Sequence, residues 1–540
     1  MSRSKLAVWL VGASAWLALL GPLGRDNYAC DDLWGKLSIP AVWLSTGRFP
    51  YVDRFSYTAW GERWIDHEWL AGVVFYGSLQ LGDLGLSLLK ALMVALLAAG
   101  VVWSARLKRL SPLWPAGILL LGLPHLFNGL VSTGRPQLFT FCLLPGLLAF
   151  LEWTRQEGRH RALWLVLPVG VVWANLHGGF VAGLGMVLCY ALGEALRGKA
   201  WLPYLLAAGA WAAGTALNPY GFEYWRYLAY ALTLPRPEIT EWHHVVLWGS
   251  EDWSVKLCIL AAAAAILLAF DRARRERLSW RELPWPLILA LVAAFWQSFR
   301  AVKLTPLGVL SAACCVPPLL AWALPGRLEE DEDGWTLAVL GFAGALVWTV
   351  GNWVDMRPRF QPWQVTVRDN GFPKGYRQGA GVYPVEAVEF LEESGGCGNV
   401  LTPFNTGEFI YWRLYPRFRV SNDGRLECAY PMDVFRSQLE AGAKGDLESP
   451  AVKAADWVLI GRQGKLYDAL KASPAWKTAH EDETYTVFRR ALSPEPRKTG
   501  GSKTAGGWSP VSAFFTRERF RGYASETGSA KEMACGPSGS

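Results

Sequence analysis

Charge is scarce in this sequence. Asp, Glu, Lys and Arg make up 18% of the 540 residues, against 52% hydrophobic residues. A soluble domain carries about a quarter charged residues, so a wholly soluble chain is excluded. The glycine loops that cradle phosphates are missing. There is no G-x-x-x-x-G-K-[ST], and no G-x-G-x-x-G between a strand and a helix, so nothing points to a nucleotide. The zinc-protease pattern H-E-x-x-H is absent too. His67-Glu68 begins it, but Ala71 stands where the second histidine is needed. The nine cysteines show no zinc spacing. Cys142, Cys189, Cys258, Cys314 and Cys315 fall in apolar runs and read as packing residues. Cys397 and Cys428 lie in a soluble region, where an oxidising compartment would let them pair.

What is present is a series of apolar runs near the roughly 20 residues needed to cross a bilayer. Spans are predicted at 6–24, 84–103, 112–131, 137–152, 162–176, 179–196, 201–217, 254–270, 284–299, 306–325 and 335–353, about eleven in all. The first resembles a signal peptide but lacks a clear cleavage site, and is read as a retained helix. The loops sort by charge. Arg106, Lys108, Arg109, Arg155, Arg159, Arg161, Arg197, Lys199 and the arginines of 272–281 fall on one side, which the positive-inside rule makes cytoplasmic. Basic loops beside anionic lipid account for the net charge of +7 without a nucleic-acid partner.

The other side receives a long first loop, 25–83, and several short connections. They carry Asp31, Asp32, Asp66, His67, Glu68, Arg135, His177, Arg300 and Lys303. Ionisable groups gathered at one membrane face suggest a shared polar site. Within the first loop, 67–80 is too short to span and reads as an interfacial or re-entrant helix. Asp66 suits its N-cap, and Asp66 and Glu68 suit the positive end of its dipole. His67 is not explained that way. A metal site built from Asp32, His67 and Glu68 is left open as the weaker reading. Most of Trp34, Trp60, Trp64 and Trp69 are placed in an aromatic interfacial belt, with stacking on a sugar as the sharper alternative.

Composition changes after residue 353. Helices are predicted from Pro384 to Glu393 and over Gly407 to Tyr415. Strands are predicted at 399–402, 417–421, 457–461 and 485–488, giving a small α/β domain over 357–492. With eleven spans and an inside N-terminus, this domain lies outside the cell. The tail 493–540 is rich in Ser, Gly, Lys and Arg and is expected to be disordered. The reading is a polytopic α-helical membrane protein of the cell membrane, N-in and C-out. Its transmembrane domain occupies 1–356, with a small extracytoplasmic α/β domain behind it.

This architecture, with Cys30-Asp31-Asp32-Leu33-Trp34 just after the first helix, resembles the GT-C class of membrane glycosyltransferases, and in particular an uncharacterised bacterial branch of it. The stretches that carry the resemblance are Gly47-Arg48-Phe49-Pro50, Asp53-Arg54-Phe55-Ser56-Tyr57-Thr58, the segment 64–70, Arg135-Pro136-Gln137, Asn218-Pro219-Tyr220-Gly221 and Asn422-Asp423-Gly424-Arg425. A histidine is expected shortly after Trp34, and Gly35-Lys36 stands there instead. The resemblance implies an enzyme that moves a sugar, hexosyl or pentosyl and with inversion, from a polyprenyl-phosphate carrier to a glycan, lipid or protein acceptor. It implies Asp32 as the catalytic base, with Asp31 next and Glu68 as a substitute. Arg135, Arg300 and Lys303 are implied for the phosphate, with His177 as a helper. His67 and Asp66 are implied to bind or orient substrate. No cofactor is required, and a divalent metal is left open. A transporter or flippase of a lipid-linked substrate is the competing reading. It predicts mid-span charges and internal repeats, and few such charges and no evident repeat are visible.

Overall fold

The computed structural model describes residues 28–81, 83–111, 113–126, 132–246, 248, 252–325 and 383–491. The predicted spans 6–24 and 335–353 and the tail 493–540 lie outside them. The chain divides into two compact units, one of residues 1–28 and 83–365, the other of residues 29–82 and 366–540.

The first unit is helical. Leu84–Arg106, Gln137–Glu157, Trp253–Arg275 and Val302–Ala323 are each long and apolar enough to cross a membrane. His160–Leu176, Phe180–Leu196 and Leu202–Gly214 are shorter apolar helices at the places predicted for spans, and Trp285–Arg300 is a further helix. Within the predicted span 112–131 the helix Leu113–Leu121 has Pro115 in its first turn, 123–126 is again helical, and 127–131 lie outside the described residues. Leu84, Leu88, Leu92 and Leu96 form an exposed stripe at four-residue spacing. In water that stripe would be a liability, whereas in lipid it is the outward face. The opposite need, close helix contact, is met by small residues. A Cβ on Gly100 would lie 2.6 Å from the Gly146 nitrogen, and one on Gly193 would lie 2.5 Å from the Pro286 nitrogen. A helix not anticipated from the sequence, Glu223–Thr233, occupies the loop 218–253.

The second unit joins the first loop to the C-terminal region. Its helices are α1 (Asp31–Thr46) and α2 (Trp69–Leu79) from the loop. From the C-terminal region come α3 (Val385–Glu393), α4 (Gly407–Leu414), α5 (Met432–Lys444) and α6 (Lys465–Ala472). The strands are β1 (Gly398–Leu401), β2 (Phe418–Val420), β3 (Trp457–Gly461), β4 (Trp476–Glu481) and β5 (Tyr485–Arg490), in the order β2-β1-β3-β5-β4. β1 runs parallel to β2 and β3, while β5 is antiparallel to β3 and β4. Leu401, Val452, Val458, Leu470, Trp476 and Phe488 fill the core on one side of the sheet.

The first loop extends that sheet. Ser56 bridges Val420 in parallel, Tyr57 N–H donates to Val420 O at 3.0 Å, and Val420 N–H donates to Phe55 O at 3.0 Å. The Tyr57 hydroxyl donates to Ala451 O at 2.8 Å. The edge beside β2 is thereby covered. The belt reading of the tryptophans is corrected here for two of the four. Trp34 and Trp64 are buried at 5% and 2% exposure. Trp34 packs on Tyr383, Phe409 and Trp412, and Trp64 on Phe55. Trp60 is exposed under the Arg419 guanidinium, and Trp69 packs against Trp43 and Phe49.

Candidate functional site

The acidic motif opens α1. Asp31 and Asp32 fill its first turn, where the helix dipole favours negative charge. They diverge from there. Asp31 takes the Tyr383 hydroxyl, across to the C-terminal region. Asp32 meets a second carboxylate, Glu408, from the first turn of α4. A Cβ placed on Gly424 would lie 3.1 Å from Glu408 Oε1 and 3.8 Å from Asp32 Oδ1, so both acids face one point beside this glycine. Gly35 N–H donates to Glu408 Oε2 at 2.9 Å. A Cβ on Gly35 would sit 2.4 Å from that oxygen, so the carboxylate packs directly against this glycine. Gly407 has the same constraint against backbone, 2.1 Å from Asn422 O. Burial, reinforced by Asp423 and Asp32 and opposed by Lys36 and Arg425, raises the Glu408 carboxyl well above its usual range. Burial thus favours the protonated form of Glu408.

Lys36 explains the segment 64–70. Its ammonium donates to Asp66 Oδ1 at 2.8 Å and lies 3.0 Å from Glu68 Oε2. Burial works against the charged form, but Asp66 and Glu68 override it and hold Lys36 well above the ordinary lysine value. Asp66 is not the N-cap of the helix, as expected from the sequence. The helix begins at Trp69 behind Glu68, with no side-chain cap bond, and Asp66 Oδ1 instead accepts Glu68 N–H at 3.2 Å. Asp66 is 2% exposed, an internal ion-pair partner. Glu68 turns its other oxygen toward His67 Nε2 at 3.5 Å, and His67 Nδ1 lies 3.7 Å from Cys428 Sγ. Cys428 is not in a disulfide, so it does not pair with Cys397. Among the described residues, the three ligand types that converge within 4.8 Å are Glu386, His480 and Asp482, and the set of Asp32, His67 and Glu68 does not assemble.

Asp53 and Asn422-Asp423-Gly424-Arg425, far apart in sequence, meet inside the unit. Arg425 Nη1 donates to Asp53 Oδ1 at 2.6 Å. Its Nε and Nη2 hold Asp423 as a fork at 2.8 and 2.6 Å. The Tyr430 hydroxyl donates to Asp423 Oδ2 at 2.6 Å, and Ser56 N–H and Oγ–H close on Asp53 Oδ2. Arg425 is packed between aromatic rings, 4.7 Å from the Trp64 centroid. This network fixes the loop that carries Gly424.

The remaining sequence candidates lie in the first unit. Arg135 and Lys303 both reach Glu241, at 3.1 and 3.2 Å. Against the effect of burial, Lys303 and Arg135 pull the Glu241 carboxyl down to about 2. Arg300 is exposed and lies over Trp296. Gly179 N–H donates to His177 Nδ1 at 2.9 Å, so the neutral ring carries its proton on Nε2. Thr140 Oγ1 lies 2.7 Å from the same nitrogen. Sequence reasoning missed Lys36 and Glu408. Gly35-Lys36, in the place of an expected histidine, was the available signal for the first.

No family model matches the sequence, and no curated protein matches it either. Among solved structures, the chain is similar to the arabinofuranosyltransferase AftD from Mycobacteria. The TM-score is 0.52 at 14% identity, with 92% of this chain and 40% of that one covered. A weaker likeness, TM-score 0.46 at 11% identity, is to the Archaeoglobus fulgidus oligosaccharyltransferase in the apo form, over 85% of this chain and 69% of that one. With an acceptor peptide tethered to it, the same enzyme gives 0.44 at 12% identity, over 84% and 69%. The chain spans two-fifths of the length of AftD. The chain, matched to AftD over nearly its whole length, has the fold of the GT-C membrane glycosyltransferases.

Proposed function

We propose that this chain is an integral membrane glycosyltransferase that moves a sugar from a polyprenyl-phosphate carrier to an acceptor hydroxyl or amide at the extracytoplasmic face. The observation that carries the reading is the pair of carboxylates, Asp32 and Glu408, facing one point beside Gly424 in a chain of GT-C fold. In the proposed step the acceptor oxygen or nitrogen attacks the anomeric carbon from the side opposite the phosphate. Its proton passes to Asp32. The bond from the anomeric carbon to the phosphate oxygen breaks, and the carrier phosphate leaves with the electron pair, so the anomeric centre inverts. Burial favours the protonated form of Glu408, and Asp32 is the member of the pair proposed to accept the proton. Arg135 and Lys303 are the cations proposed for the carrier phosphate, with Nε2–H of His177 as a further donor and Arg300 as a lipid-headgroup contact. The test is transfer of labelled sugar from polyprenyl phosphate by membranes that carry the protein, against the Asp32→Asn variant. Equal transfer by the two would remove the base assignment.

Glu408→Gln separates positioning from fold. A carboxyl that holds its proton more tightly when folded stabilises the fold fully below its ordinary value of 4.5, and that contribution is lost as pH rises toward the folded value. Glutamine mimics the protonated form at every pH and keeps an acceptor for Gly35 N–H. The variant is expected to melt with the wild type at pH about 4 and above it at neutral pH. Its activity is expected to persist at neutral pH and to lose any fall toward alkaline pH that the wild type shows. A variant that melts lower at pH 7, with an unchanged pH–rate profile, would overturn the upward shift of the Glu408 carboxyl.

A further inference from the structure

We infer that the first unit binds a phosphate-ester group in a basic cavity at the end of the helices Leu84–Arg106, Gln137–Glu157 and Phe180–Leu196, where Lys108, Arg155, Arg197 and Lys199 converge. The cavity holds about 400 Å³, within the size range of small-ligand sites, and is lined also by His160 and Glu194.

The charge balance favours an anion. Four cations meet two carboxylates, Glu152 and Glu194. Glu152 is already saturated. It takes a fork from Arg155 at 2.8 and 2.5 Å, Gln156 at 2.8 Å and the Tyr190 hydroxyl at 3.4 Å. Lys108 reaches it only at 4.0 Å. Glu194 holds Arg197 through Nη1 at 2.7 Å, while Arg197 Nε is buried and has no hydrogen-bond partner among the described residues. Lys199 is exposed at the rim and makes no ion pair among them. Burial lowers the Lys108 ammonium below the ordinary lysine value. Glu152 opposes this, and Arg155 and Arg197 add smaller effects in the same direction as burial.

Cations at helix C-termini have a simpler use, capping the last carbonyls. Arg155 and Arg197 are not used that way, since each turns back onto a carboxylate three residues earlier. A cavity of this size is also not needed for capping. A tetrahedral phosphate would accept from Arg197 Nε–H, Lys108 and Lys199 together, which no single carboxylate here does. The phosphate could be that of an anionic lipid headgroup entering from the bilayer, or a free phosphate ester from solution. This site is independent of the transfer reaction proposed above.

The test uses the full-length protein in nanodiscs of phosphatidylglycerol or phosphatidylcholine, and separately in detergent with inorganic phosphate. The variants are Lys199→Gln, which changes only an exposed side chain, and Lys108→Gln with Arg197→Gln. Retained lipid is counted by native mass spectrometry, and phosphate binding is read as a saturable rise in melting temperature. Preferential retention of phosphatidylglycerol identifies a headgroup, and saturable stabilisation by phosphate identifies a soluble ester. In either case each lost cation is expected to weaken binding by about fivefold. No preference for either probe in the wild type, or variants that bind both probes as the wild type does, would overturn the site.

Discussion

Asp32→Asn is expected to lower sugar transfer by about 10²- to 10⁴-fold, the contribution of a positioned general base. The substitution keeps size and hydrogen bonding and removes only the capacity to hold the acceptor's proton. Its structural cost is limited to a favourable charge at the first turn of α1, about 0.3–1 kcal/mol, so expression and melting should stay close to wild type. Asp31→Asn is the internal comparison. Asp31 takes the Tyr383 hydroxyl rather than sharing the point beside Gly424, and its loss should cost less than about tenfold in rate, in keeping with a group outside the proton transfer. The reverse order, with Asp31→Asn inactive and Asp32→Asn active, would move the base to Asp31.

Arg425→Ala carries the largest expected effect on folding. Arg425 is 4% exposed in its side chain, and Asp53 and Asp423 are fully buried. Truncating the guanidinium leaves two carboxylates inside the protein with no cation, and breaking a buried pair in this way costs about 3–5 kcal/mol. That is a large share of the roughly 5–15 kcal/mol that holds a domain together. The second unit should lose its cooperative melting transition and become open to protease between residues 383 and 491. Arg425→Lys should fall short of rescue, because an ammonium cannot hold Asp53 and fork Asp423 together. Asp53→Asn with Asp423→Asn in the Arg425→Ala background should recover part of the loss. An Arg425→Ala protein that melts with the wild type would show that the network is not what fixes this loop.

How much of this was legible in the sequence depended on range. The long apolar helices of the first unit announced themselves by apolar runs, because a segment that faces lipid and other helices has no polar face to interrupt it. The strands predicted at 457–461 and 485–488 were visible for the same local reason, with β-branched and aromatic residues in an otherwise polar region, and the second runs on to Arg490. Helix α1 was not visible. Gly35 and Pro40 interrupt its pattern, yet Gly35 is there for the Glu408 carboxylate. Helices α5 and α6 and strand β4 carry too few apolar residues to stand out, and only the sheet they cover makes sense of them. The site divides the same way. Asp32 could be found from its place after the first apolar run. Glu408 could not, because it is separated from Gly35 by 373 positions and looks like any acidic residue in a helix's first turn. The ions of the segment 64–70 were visible, but their partner, Lys36, was read as a missing histidine. Spacing cannot reveal that a lysine on one helix neutralises two acids before the next.

The most direct measurement of the central claim reconstitutes the purified protein in vesicles loaded with a polyprenyl-phosphate sugar, with acceptor outside. Release of polyprenyl phosphate and appearance of glycosylated acceptor are followed together. The account predicts that the two rise in equal amounts with wild-type protein and that neither rises with Asp32→Asn. Movement of intact lipid-linked sugar between leaflets, with no carrier released and no acceptor glycosylated, would contradict it and make the protein a transporter.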